Sequence, residues 1–102
     1  MIYRRIDSVM QLLEEDQKHL LVDTTPDVSR TRAIVQEWEK HEMYMAAMLL
    51  HHEIEDLEIG MMLLENYATE NQYEEYLETV NECINKLRHV KETQKPDAGN
   101  IF

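Results

Sequence analysis

Apolar side chains recur along the start of the chain at the spacing of one helix face. Ile6, Val9, Met10, Leu13 and Leu20 follow one another largely at intervals of three, four and seven, so they align as a stripe on a helix predicted from about Ile2 to Leu21. Asp23-Thr24-Thr25-Pro26-Asp27 interrupts that pattern. Thr25 is placed to cap an exposed amide, Pro26 suits a first helical turn where its missing N–H costs nothing, and Asp27 complements the positive helix end. A second helix therefore restarts here. From there to about Tyr67 no equally strong break occurs, and Val28, Val35, Trp38, Met45, Leu49, Ile59 and Leu63 keep a progression near 3.5 residues, which predicts one long central helix. Ile34, Met48, Leu57, Met61 and Leu64 widen its apolar surface enough for two partners, and Gly60 weakens it only locally. Ala68-Thr69-Glu70-Asn71-Gln72 reads as a turn, after which Tyr73, Leu77, Val80, Ile84, Leu87 and Val90 define a third amphipathic helix. Pro96-Asp97-Ala98-Gly99-Asn100 ends the pattern. The expectation is an all-α antiparallel three-helix bundle, with a long central helix and two shorter flanking helices. It forms a single domain over residues 1–95, followed by a flexible tail at 96–102. A helical hairpin completed by dimerisation uses the same periodicity.

The polar centre of the central segment, His51-His52-Glu53-Ile54-Glu55-Asp56, carries the densest candidate chemistry. Extending the progression from Trp38 through Met45 and Leu49 places His52 and Asp56 near the same inward line, four residues apart on one face. The simplest reading is a structural pair, in which a carboxylate satisfies and orients an imidazole and so fixes helix register. The sharper reading makes His52, Glu55 and Asp56 part of a centre for Fe, Mn or Zn, completed by His89 and Glu92 across the bundle. Ferritin-like di-metal sites, however, draw glutamates from four helices and two Glu-x-x-His motifs, whereas this chain carries the reverse order, His-x-x-Glu, at His52 and His89. The structural pair is favoured, and no cofactor is predicted.

Composition narrows the classes further. Lys and Arg number 10 against 21 Asp and Glu in 102 residues, a formal charge of −11, while 43% of the residues are hydrophobic. A chain of that length supports one core, or half of a dimeric one, and it is too apolar for a wholly disordered acidic tail. The charge excludes direct binding to nucleic acid or to an anionic membrane. Met43 to Leu50, the most apolar stretch, has eight residues, against about 20 for a membrane span, so this chain contains no such span. The single cysteine, Cys83, forms no intramolecular disulfide and reads as a buried small hydrophobe, not a nucleophile. No phosphate loop, dinucleotide fingerprint or zinc-protease motif is present, and the abundant carboxylates assemble around no evident pocket, so no catalytic or cofactor-binding residue is assigned. Trp38 is expected inside. Tyr44 and Tyr76 are the aromatic candidates for an exposed interaction surface, with the seven methionines as adaptable filler.

From Val35 to Glu92, the order of Trp38, the segment His52-Glu53-Ile54-Glu55-Asp56-Leu57, Leu64 and the segment Leu87-Arg88-His89-Val90-Lys91-Glu92 resembles an uncharacterised bacterial family of small helical domains, often preceded by one N-terminal transmembrane helix. The resemblance implies an all-helical domain in which His52, Glu53, Asp56 and His89 gather near a shared structural feature, and it brings no known reaction or ligand. The anchor is a point of departure. A segment starting at its native Met1 would be cytoplasmic, and one whose anchor had been removed would be extracytoplasmic. These features together favour a noncatalytic interaction or structural domain, partnered by an unidentified protein or by itself. A metalloprotein centred on His52 and Asp56, and an acidic mimic of nucleic acid that occupies a basic protein groove, are the alternative classes.

Overall fold

Among the described residues four helices form, not three. The computed structural model describes residues 2–94, and its elements are α1 (Ile2–Val22), α2 (Val28–Met48), α3 (His51–Thr69) and α4 (Tyr73–Gln94). The tail expected at 96–102 lies outside the described residues. α1 packs on α2 and α4, and α3 packs on the same two helices from the other side. Each helix runs antiparallel to its neighbours: Arg5 meets His41, Asp7 meets Lys91 and Gln17 meets Asn81. The result is an up-down-up-down bundle around one apolar cluster to which all four helices contribute.

The long central helix of the sequence reading is divided at Leu49-Leu50, where both residues are extended (φ −110°, ψ 161° and φ −66°, ψ 147°) and the chain reverses. No Gly, Pro or hydroxyl marks the break. Its local signal is Glu53, whose Oε1 accepts the Leu50 amide hydrogen at 3.0 Å, the reciprocal half of a capping box; Leu50 itself offers no side-chain acceptor. Packing supplies the rest, since Leu49 is buried and Leu50 is exposed at the tip.

Reversal also resets the helical phase by one residue. The unbroken progression would have carried Asp56, Ile59 and Leu63 inward, but Leu57, Gly60, Met61 and Leu64 occupy those places, and Ile59 is 51% exposed. One residue turns a helix by about 100°, which is enough to move His52 and Asp56 from the expected inward line to the surface.

The other two turns lie where the sequence places them. Asp27, not Thr25, caps α2, accepting the amides of Ser29 and Arg30 at 2.8 and 3.3 Å; Pro26 is buried just before it. Between α3 and α4, Asn71 adopts φ 56°, and the Gln72 amide returns to the Tyr67 carbonyl at 2.9 Å, closing the helix end in the left-handed manner common at such termini.

Gly60 is a packing requirement. A Cβ there would lie 2.6 Å from the Cys83 sulfur on α4, inside contact distance, so the missing side chain lets the two helices approach. Burial pushes the Cys83 thiol up to about 11, in keeping with an inert core side chain.

Two substitutions test this account. Leu50→Ser supplies the missing acceptor beside Glu53 and is expected to raise stability by about 1 kcal/mol in urea denaturation. Gly60→Ala is expected to lower it by about 1–2 kcal/mol despite its better helix propensity, and Cys83→Ala in the same chain should recover most of that loss.

Candidate functional site

The phase reset distributes the candidate residues of the sequence reading over the surface. His52, Glu53, Asp56 and His89 do come together, lining an open groove of about 270 Å³ between α3 and α4 with Asn85, Lys86 and Val90. His52, Asp56 and His89 are exposed, so they do not interrupt the core as a buried pair. Glu55 turns to His51, whose Nε2 lies 2.7 Å from its Oε1, and Glu92 does not line the groove. Among the described residues no group of three or more His, Cys, Asp or Glu side chains could hold a metal ion. Fe, Mn or Zn chemistry therefore has no site among them.

A second groove lies between α2 and α3, and its floor and walls differ in character. Val35 and Trp38 from α2 and Met61 and Met62 from α3 form its apolar lining; Glu39 and Glu42 stand on one wall, Glu58 and Glu65 on the other, around about 310 Å³. Trp38 is only 2% exposed, so it serves core and groove at once. The groove continues past Gln36 and Arg32 toward the α3 end, again beside Val35, Glu39 and Glu65. Burial, followed by a hydrogen bond and charge from Glu58 and then by Glu39, holds the Glu42 carboxyl above the ordinary glutamate range. Like charges are thus crowded over an apolar strip.

Tyr44 is 38% exposed near the α2 terminus, with the Arg5 guanidinium 4.0 Å from its ring centroid. Arg5 also donates from Nη1 to His41 Nδ1 at 3.0 Å, which leaves His41 to donate from Nε2 to Glu37 at 2.9 Å. The Ser8 hydroxyl and the His41 ring hold Glu37 below the ordinary range. Tyr76, expected on the surface beside Tyr44, is instead fully buried. Its hydroxyl reaches Asp16 of α1 and lies 2.7 Å from Thr31 Oγ1 of α2, joining three helices through the centre of the bundle.

Asp16 and Thr31 went unrecognised in the sequence reading, although both are 1% exposed. The signal was present in the stripe: Asp16 falls three residues after Leu13 and four before Leu20, and Thr31 falls three before Ile34. The groove carboxylates carried no comparable signal, because Glu39, Glu42, Glu58 and Glu65 face one another only after the chain has reversed at Leu49-Leu50.

No described helix is long and apolar enough to cross a membrane. Comparison with curated proteins and with solved structures returned no match. A family model does match residues 3–101, nearly the whole chain, and its description assigns no reaction. The chain belongs to the family described as Domain of unknown function (DUF4363).

Proposed function

We propose that this chain is a noncatalytic interaction module whose α2–α3 groove receives a cationic amphipathic segment of a partner protein. The observation that carries the reading is the pairing of an apolar floor, Val35, Trp38, Met61 and Met62, with facing carboxylates, Glu39 and Glu42 against Glu58 and Glu65. An amphipathic helix with Lys or Arg flanking an apolar stripe complements both parts: its stripe covers the floor and its cations relieve the crowding of like charge. The apolar floor argues against mimicry of nucleic acid, since a phosphate track is polar along its length. Self-association of the same groove would set carboxylates against carboxylates, so charge disfavours it.

The test uses the full chain and a synthetic amphipathic Lys/Leu helical peptide, with Trp38 emission as the readout. Saturable, salt-sensitive binding is expected, with affinity reduced by about five- to thirtyfold, ~1–2 kcal/mol, in Glu42→Gln/Glu58→Gln. Equal affinity for the unaltered chain and this variant would overturn the assignment to the groove. Sedimentation of the chain alone separates the alternative, since growth of the mass with concentration that is abolished by Met62→Lys would indicate pairing of two copies instead.

Binding also has an expected pH dependence. Burial and the neighbouring Glu58 hold the Glu42 carboxyl above the ordinary glutamate range, so it takes up its proton before the pH has fallen to that range. Peptide affinity should therefore fall as pH drops toward that range, and complex formation there should release protons, measurable by calorimetry in buffers of different ionisation enthalpy.

A further inference from the structure

The centre of the bundle contains one acid that the groove does not use. Asp16 is 1% exposed, and its Oδ2 is hydrogen-bonded to the Tyr76 hydroxyl. Tyr76 in turn lies 2.7 Å from Thr31 Oγ1, and Thr31 Oγ1 is 3.0 Å from the Asp27 carbonyl oxygen at the α2 cap. Asp16 Oδ1 is enclosed without a hydrogen-bond partner. The charged and titratable groups that face Asp16 are His19 on its own helix, Asp27 and Arg30 from α2, and Tyr76 from α4. Among the described residues none forms an ion pair with it.

A count of hydrogens separates the two protonation states of this chain. Its three links join Asp16 with Tyr76, Tyr76 with Thr31, and Thr31 with the Asp27 carbonyl, and positions alone leave the sense of the first two open. A neutral Asp16 brings a carboxyl hydrogen, and the two hydroxyls bring one each, so every link is filled by donation in one sense along the chain. An ionised Asp16 leaves two hydrogens for the same links. Tyr76 must then donate to the carboxylate, and Thr31 can donate to Tyr76 or to the Asp27 carbonyl but not to both. The solitary Oδ1 points the same way, because an unpaired carbonyl oxygen is far less costly to bury than an unpaired carboxylate oxygen.

We propose that Asp16 is held as the neutral acid at the head of a one-way hydrogen-bond chain, and that its ionisation reverses the Asp16–Tyr76 link and draws the Thr31 hydroxyl from the Asp27 carbonyl toward Tyr76, while the backbone bond from the Thr31 amide to that carbonyl stays in place. The proton leaves to solvent, and the only other changes are rotations of the Tyr76 and Thr31 hydroxyls. Burial, the dominant influence, holds the Asp16 carboxyl above the ordinary range against the Tyr76 hydrogen bond and the charges of Arg30 and His19, while Asp27 acts with burial. Tyr76 is itself pushed upward, first by burial and then by Asp16, so it keeps its hydrogen throughout. Thr31 also lines a small cleft with Val28, Arg32, Glu65 and Ala68. Arg32 and Glu65 also line one end of the groove.

Titration of the Asp16 carboxyl carbon by NMR in the unaltered full chain tests the proposal. Asp16 is expected to titrate above the ordinary aspartate range, with the Thr31 and Asp27 resonances shifting at the same midpoint. In urea denaturation, the unfolding constant of the unaltered chain relative to Asp16→Asn, which retains a donor toward Tyr76, should rise by up to tenfold per pH unit above the ordinary aspartate range and level off once Asp16 has ionised. That sign follows from a carboxyl raised in the folded state: its stabilising contribution is complete at low pH and is lost as pH rises through the folded value. Titration of Asp16 within or below the ordinary aspartate range would overturn the proposal. A raised midpoint with no response at Thr31 or Asp27 would overturn the movement of the Thr31 hydroxyl. Both outcomes are read without a variant, so failure of Asp16→Asn to fold leaves the test intact.

Discussion

Two extended leucines govern which side chains this protein shows to its surroundings. The reversal at Leu49-Leu50 is held by the bond from the Leu49 amide to the Met45 carbonyl, by the bond from the Leu50 amide to Glu53, and by burial of Leu49. It converts what would be a long rod into an antiparallel pair and brings α2 and α3 face to face. It also rotates the apolar stripe of α3 by one position. His52 and Asp56 thereby become surface groups, and Leu57, Met61 and Leu64 become core. The acidic groove exists because of the same event, since Glu39 and Glu42 precede the reversal and Glu58 and Glu65 follow it.

The bundle divides its polar groups between two kinds of environment. On the surface, ion pairs such as Lys91 with Asp7 at 2.8 Å, half-exposed on both sides, add little to stability. In the interior, Asp16, Thr31 and Tyr76 tie α1, α2 and α4 together, and Tyr76 crosses a diagonal that the backbones of α2 and α4 do not themselves approach. Such a set specifies one arrangement of helices more strictly than apolar packing does, because a slip of any helix leaves a polar atom dry and unpaired.

Much of the architecture was legible in the sequence. Ile6, Val9, Leu13 and Leu20 mark the inner face of α1, the Asp23–Asp27 segment marks a turn, and Trp38, Val80, Leu87 and Val90 lie in the core as their spacing implies. The break after Leu49 was not legible, because leucine is a strong helix former and its conformation there is imposed by the tertiary fold. Every site expectation that depended on an unbroken helix failed with it, including the inward His52 and Asp56. Tyr76 was misplaced for a different reason. An aromatic with a polar edge is compatible with surface or core, and only Asp16 and Thr31, contributed by other helices, decide between them.

The antiparallel order has one more consequence. Asp7 and Lys91 lie side by side, so the start of α1 and the end of α4 leave the bundle at the same end, beside the Leu49-Leu50 tip. A domain whose two ends emerge together can be spliced into a surface loop of a host protein without spreading that loop.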